Sequence, residues 1–398
     1  MMRLFFKSLW NNRRRNILVF IELFMISFVM VNLIIYLANI LAIYRIRTMY
    51  HSRDVVLVNI SNKIPEPAAT AEQAFLNLKK VFASNPFVES VSISKNAIPY
   101  NYNISTSEYT HGSDRFGMSM RYVDIEYGKV MKIVPVSGRW FNETDRGKSV
   151  RPVMITKDID QKYFKGNGVG QRFTNGGEGI NKEEYEIAGV VESFKRSDIE
   201  KPYPAVLILL DSIKPQSMWE TSYLIRTGEN KTSAMLAVAE SQVYSTLNPE
   251  NWTISSLNTL ENMHSEQNNE NYQRNYLSVI IALFVLINIL LGTIGILWYN
   301  TNLRIHEIGI KRALGSTGRG IRRLLIAENL VIAGIGLLIV LVIVLQVPIT
   351  GQKELEPGVM VQSIIISYVS MTLLVLLSTW IPSSIASKIR PAVALKTE

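Results

Sequence analysis

Gly147-Lys148-Ser149 and His306-Glu307 are the residues whose types and spacing come nearest to catalytic chemistry. The first looks like the end of a loop whose backbone N–H groups and lysine cradle nucleotide phosphates. That loop needs a glycine five positions before Gly147, where Asn142 stands, and no strand-to-helix setting surrounds it. A polar turn is the simpler reading. The second pair begins like a zinc-protease helix, but Ile310 occupies the place of the second imidazole, so one helical face cannot offer two ligands. The chain has four histidines and no cysteine, and neither a G-x-S-x-G elbow nor a calcium loop is found. No catalytic, metal-binding or cofactor-binding residue is expected.

Charge is the other chemical resource, and its placement says more than its total. The formal net charge of +9 concentrates in three short segments. Arg3, Lys7, Arg13, Arg14 and Arg15 lie in residues 1–16. Arg304, Lys311, Arg312, Arg319, Arg322 and Arg323 face only Glu307 within residues 300–323, and the tail 387–398 is also basic. Residues 44–275 hold basic and acidic side chains in equal number, which argues against binding a nucleic-acid backbone.

These basic segments alternate with four apolar stretches, Ile17 to Ile43, Tyr276 to Tyr299, Leu324 to Val347 and Met360 to Ala386. Each reaches the roughly 20 residues a helix needs to cross a bilayer. The distribution is positive-inside: both termini and residues 300–323 lie in the cytoplasm, and residues 44–275 lie outside with the short loop 348–359. The first stretch is too long for a signal-peptide core and has no small-residue cleavage site after it, so it is read as a retained span.

The elements that must position these groups follow from periodicity. Phe5, Phe6, Leu9 and Trp10 interleave with Arg3 and Lys7 as in an interfacial helix over residues 1–16. Leu257 to Arg274 is polar, free of Gly and Pro, and runs into the second span. With the overlong first span, it predicts a helical stalk. Between them, strands are expected at Asp54–Ile60, Val88–Ser94, Met118–Ile125, Val153–Ile155, Tyr185–Val191, Ala205–Leu210 and Ser222–Arg226. Helices are expected from Thr70-x-x-Gln73, read as a capping box, to about Phe82, and at Lys157–Phe164 and Thr232–Leu247. Turns are expected at Gly166–Gly170 and Asn175–Gly179. The fold class is thus an α-helical membrane protein with four spans, one plus three, and a large α+β extracytoplasmic domain on a helical stalk, with two subdomains as one arrangement.

Within residues 300–323, Glu307 and Lys311 stand one helical turn apart in the favourable order. Ile305, Ile308 and Ile310 add apolar surface, and Gly315 to Gly318 breaks the helix. A short cytoplasmic helix of this kind offers a surface on which a soluble partner could push. Glu22 and Glu328 lie inside apolar stretches near their cytoplasmic ends; reaching the interface or pairing with nearby arginines is favoured over a relay role. Gly292, Gly295, Gly334 and Gly336 are small enough to allow close helix approach in a dimer.

The order Glu307-Ile308-Gly309-Ile310-Lys311-Arg312-Ala313-Leu314-Gly315-Ser316 resembles the E-I-G-I-R-R-A-L-G-A coupling segment of the MacB and FtsX-like permeases, the mechanotransmission (type VII) class of ABC transporters. Glu328 with Gly334 and Gly336 is similar to the family's third span. Pro382, Ala386, Pro391, Ala392, Ala394, Leu395 and Glu398 resemble its ending, although Ser383 and Ser384 stand where basic residues are common. Gly138-Arg139-Trp140-Phe141, Val153-Met154-Ile155, Gly170-Gln171 and Ile187-Ala188-Gly189-Val190-Val191 are similar to landmarks of the outer domain.

The resemblance implies a MacB-like core domain at 44–275, an FtsX-like permease region at 276–386 and a cytoplasmic coupling segment in which Arg304, Glu307, Ile308, Gly309, Lys311, Arg312, Ala313, Leu314 and Gly315 meet the ATPase. It implies a bacterial inner-membrane dimer, formed with a second copy or a paralogue, that works with a separate ABC ATPase. The ATP and Mg are then the partner's, and this chain binds no cofactor. The expected function is to couple ATP hydrolysis to motion of the outer domain for export, extraction or release of a peptide, drug or lipoprotein. Membrane lipid is one further partner, and a periplasmic adaptor or outer-membrane channel another. The competing reading is a membrane-anchored sensor or regulator of envelope enzymes, such as a cell-wall hydrolase; a sensor would need an inside signalling domain, for which residues 300–323 are too short.

Overall fold

The computed structural model describes residues 13–64, 68–101, 105–175, 183–198, 200–210, 220–346 and 357–387. The chain divides into a globular unit, Ile43–Gln273, and a helical unit, Met1–Ala42 with Arg274–Glu398. The interfacial segment before Arg13, the 348–356 part of the short loop and the tail beyond Ser387 lie outside the described residues.

Helix α1, Arg13–Arg45, leads into the globular unit. There follow β1 (Val55–Asn62), α2 (Ala68–Ala83), β2 (Val88–Lys95), β3 (Thr106–His111), β4 (Asp114–Val123), α3 (Tyr127–Val130), β5 (Ser137–Gly138) and β6 (Arg151–Thr156). Then come α4 (Lys157–Tyr163), β7 (Arg172–Asn175), β8 (Glu184–Val191), β9 (Ala205–Leu209), β10 (Glu220–Thr227), α5 (Thr232–Thr246) and β11 (Trp252–Thr259).

Strands β11-β1-β10-β2 form an antiparallel sheet in that order, with α2 and α5 on one face. This is the split β-α-β arrangement of ferredoxin-like domains. The sequence of β1 explains its central place: Val56, Val58 and Ile60 face the helices while Val55 and Leu57 face a second core, so a β-branched run serves both sides. Helix α2 answers with Ala71, Phe75, Leu78 and Phe82, and α5 with Met235, Ala239 and Val243, each set at helical spacing.

The segment between β2 and β10 is a second subdomain. Strands β4-β3-β7-β8-β6-β9 run in that order, and β9 pairs back onto β4, closing the ring and removing its edges. Aromatics fill it: Tyr109 packs on Phe173 and Tyr185, and Phe116 on Tyr163. Gly189 is required where β5 crosses β8, because a Cβ there would lie 2.7 Å from the Arg139 carbonyl oxygen.

Three expectations change. Thr70 does not cap α2, which already runs from Ala68, so a helical Thr lies two residues inside it. Leu257 to Thr259 belong to β11, paired with β1, and the helix expected from Leu257 starts at Leu260. Pairing across a sheet outweighs the local absence of breakers. Strands β3, β5, β7 and β11 add to those expected; their residues are largely polar and carry little local strand signal.

In the helical unit, α6 (Leu260–Asn302) is followed by α7 (Ile305–Ala313), α8 (Gly318–Gln346) and α9 (Pro357–Ala386). Four segments are long and apolar enough to span a bilayer: Ile17–Arg45, Asn275–Asn302, Gly318–Gln346 and Gly358–Ala386. On α1, Val19, Leu23, Ile26 and Met30 form one stripe, packed with Ile332, Leu337, Val340 and Val344 of α8 and Met371, Leu374 and Val375 of α9. Gly336 permits this packing within one chain, since a Cβ there would come 3.3 Å from the Phe24 Cα; Gly292 faces the Glu22 carboxylate. Gly295 and Gly334 meet open space. Residues 300–323 are therefore mostly helical, and Arg319, Arg322 and Arg323 stand on the first turns of α8.

Candidate coupling site

Gly315 ends α7 and Thr317 begins α8. The Ser316 N–H donates to the Lys311 carbonyl (3.0 Å) and the Gly315 N–H to that of Arg312 (3.1 Å), the paired bonds of a Schellman stop, with Gly315 at φ +93°. Two residues later the Thr317 hydroxyl accepts the Gly320 N–H at 3.1 Å, an N-cap. The short run Gly315-Ser316-Thr317 thus fixes a corner between two helices.

Polar contacts hold the other end of α7. Arg304, just before the helix, is 5% exposed and forms an ion pair with Glu328 of α8, itself 5% exposed. Its Nε also reaches Glu307 at 3.2 Å, and Glu307 accepts from Lys311 Nζ at 2.8 Å. Burial opposes the Arg304 charge, but hydrogen bonds and attraction from Glu328 and Glu307 outweigh it and raise its pKa. Burial likewise pushes the Glu307 carboxyl up; the bonds from Arg304 and Lys311 prevail and bring it down to about 2. Beneath the helix, Ile308 packs with Ile321, Leu325 and Ala386.

The nine residues expected to form one coupling surface divide between two faces. Arg304, Ile308 and Gly309 are buried and anchor α7, with Glu307 and Lys311 half-buried in the ion-pair chain. Ala313, Leu314 and Gly315 are exposed, Leu314 by 82%, and Arg312 is half-buried beside them. Ile310, exposed by 41%, joins the outward face. Glu328 is expected to pair with a nearby arginine, and Arg304 is that arginine. Ile321 and Leu325 join the site without a sequence signal, because their spacing on a spanning helix is indistinguishable from an ordinary bilayer-facing pattern.

Lys148 of the Gly147-Lys148-Ser149 segment is held at a turn. Lys148 donates to Asp145 (2.9 Å), whose carboxylate also accepts from Arg139 and from the Asn142 N–H in a single turn. A cleft of about 660 Å³ opens beside it, and its cations Arg139, Lys148 and Arg172 are each paired with a carboxylate.

A family model described as the MacB-like periplasmic core domain matches residues 25–245, more than half of the chain. The chain is an ABC permease of the MacB/FtsX-like family. A second model, the FtsX-like permease C-terminal region, matches residues 279–391 of this permease and so includes α7 and its corner. Among solved structures it is similar to the periplasmic region of MacB from Actinobacillus actinomycetemcomitans, at 12% identity over 55% of this chain and 94% of that one, TM-score 0.35. It is similar to the extracellular domain of the noncanonic ABC-type transporter YknZ from Gram-positive bacteria, at 15% identity over 50% and 100% of the two chains, TM-score 0.35. A domain of a putative permease protein from Porphyromonas gingivalis aligns at 11% identity over 52% and 93%, TM-score 0.35. None of the curated proteins compared matches the chain. The permease is thus a transporter membrane subunit with four transmembrane helices and a large extracytoplasmic domain.

Proposed function

We propose that the outward face of α7 and its corner with α8 is the docking surface for a separate cytoplasmic ABC ATPase, whose ATP and Mg are its own. Hydrolysis there moves the extracytoplasmic domain for export, extraction or release of an extracytoplasmic substrate such as a peptide, drug or lipoprotein. The observation that carries this reading is the division of α7: one face is locked by the Arg304–Glu328 pair and the Ile308 cluster, while Ile310 and Leu314 face outward beside Lys311 and Arg312. An anchored helix that shows a leucine 82% exposed has rigid support on one side and apolar surface awaiting a partner on the other.

The crowd of Arg304, Lys311, Arg312, Arg319, Arg322 and Arg323 supports a cytoplasmic location for this corner, with both termini on the same side. Physically, ATP shifts the outer domain only if the ATPase's closed state binds one arrangement of this corner better than the other. A second permease copy or a paralogue completes the assembly in this reading. The test is to isolate the permease from its native membranes with every bound chain identified, and to measure hydrolysis by the complex and by the permease alone. An ATPase subunit in the complex and no turnover by the permease alone support the proposal; intrinsic turnover, or no ATPase retained, defeats it.

A further inference from the structure

The segment that leaves strand β8 grips both chain ends of the extracytoplasmic domain. Ser193 bridges to Thr48, and its carbonyl accepts the Met49 N–H at 3.1 Å. Lys195 is 2% exposed, and its Nζ donates to the carbonyl of Ile43, in the last turn of α1, at 2.9 Å and to that of Asp198 at 2.7 Å. Its own carbonyl accepts the Tyr50 hydroxyl. Asp198 turns the other way: its carboxylate meets His264 Nε2 at 3.0 Å, Asn268 Nδ2 at 3.3 Å and the Tyr272 hydroxyl at 2.9 Å. Its N–H donates to the Asn268 side chain at 3.0 Å. His264, Asn268 and Tyr272 are four residues apart, so they form one stripe along the first turns of α6.

The placement is unusual for a structural loop. Buried lysines are rare unless paired, and Lys195 donates to two backbone carbonyls. One of these carbonyls belongs to α1 and the other to the residue that holds α6, so the two grips share a link. Through β8 they also share the closed barrel, in which strands cannot slip past one another without breaking the ring.

We propose that Lys195 and Asp198 are positioning residues that clasp the last turn of α1 and the first turns of α6 to strand β8, so that movement of either helix is delivered to the barrel as one body. The use of this clasp rests on the coupling function proposed above; its existence does not. The test is hydrogen exchange on the full chain in phospholipid nanodiscs. Asp198→Ala raises exchange about tenfold or more in residues 262–272 and also in residues 43–50, where Lys195 holds Ile43 and Tyr50, while β1 and β10 keep their protection. Tyr272→Phe, which retains the ring, gives the same pattern in smaller measure and serves if the alanine variant fails to fold. A change confined to residues 262–272, or none, overturns the clasp. With the co-purified ATPase bound, Asp198→Ala retains that subunit but loses any ATP-dependent change of exchange in β8; an undiminished change overturns the role in transmission. A wild-type chain that retains no ATPase defeats the coupling function and leaves the first result to stand alone.

Discussion

The Arg304 guanidinium and the Glu328 carboxylate form an ion pair that is almost wholly buried, tying the start of α7 to α8. Breaking one side of such a pair strands the other charge away from water. Glu328→Ala is therefore expected to cost about 3 kcal/mol, the lower end of the range for a buried ion pair because Glu307 still accepts from Arg304. Replacing both residues with methionine should recover most of the loss. Thermal unfolding of the wild type and these two variants in detergent checks this, and equal losses in the single and double variants would contradict it.

Gly315 stands at φ +93°, and a Cβ added to it would meet nothing within 4 Å, so the cost of a side chain there is purely conformational. Gly315→Ala is expected to cost about 1 kcal/mol and Gly315→Asn less, because asparagine tolerates the left-handed region. Denaturation midpoints of the two variants give the order directly.

The acid side of the corner's stability follows from Glu307. Its folded pKa, about 2, lies below the ordinary 4.5, so its contribution is complete above about 4.5 and disappears as the pH falls through 2. Infrared difference spectra against Glu307→Gln should show the carboxylate band persisting to near pH 2. Protonation near 4.5 would mean that Arg304 and Lys311 do not hold it.

Gly128 lies under Trp140, whose indole N–H donates to the Ile125 carbonyl at 2.8 Å. A Cβ on Gly128 would sit 2.6 Å from that indole nitrogen. Gly128→Ala should displace the ring, lose the bond and cost about 2 kcal/mol by overpacking. Tryptophan fluorescence should shift to longer wavelength as the ring meets water.

Much of this is legible in the sequence because the controlling signals are local. The β-branched run of β1, the four-residue spacing of α5 and the stop at Gly315 state their own structure. Polar β11 does not, since its place is set by pairing with β1 and a helix without breakers follows it. The two faces of α7 are not legible either: Ile308 and Ile310 are the same residue two positions apart, and only packing on Ile321 and Leu325 tells the buried one from the exposed one. Asp198 and His264 are far apart in sequence, and nothing local marks them as partners.

In the proposed function the outward face of α7 carries the ATPase. Leu314→Asp places a charge on an 82% exposed side chain that makes no core contact, so the permease itself should fold and melt as the wild type does. Retention of the ATPase subunit by the tagged permease, measured by titration in nanodiscs, is expected to weaken more than tenfold in this variant, and likewise with Lys311 and Arg312 both changed to glutamate. Unchanged affinity in a normally folded Leu314→Asp permease would contradict docking on this face.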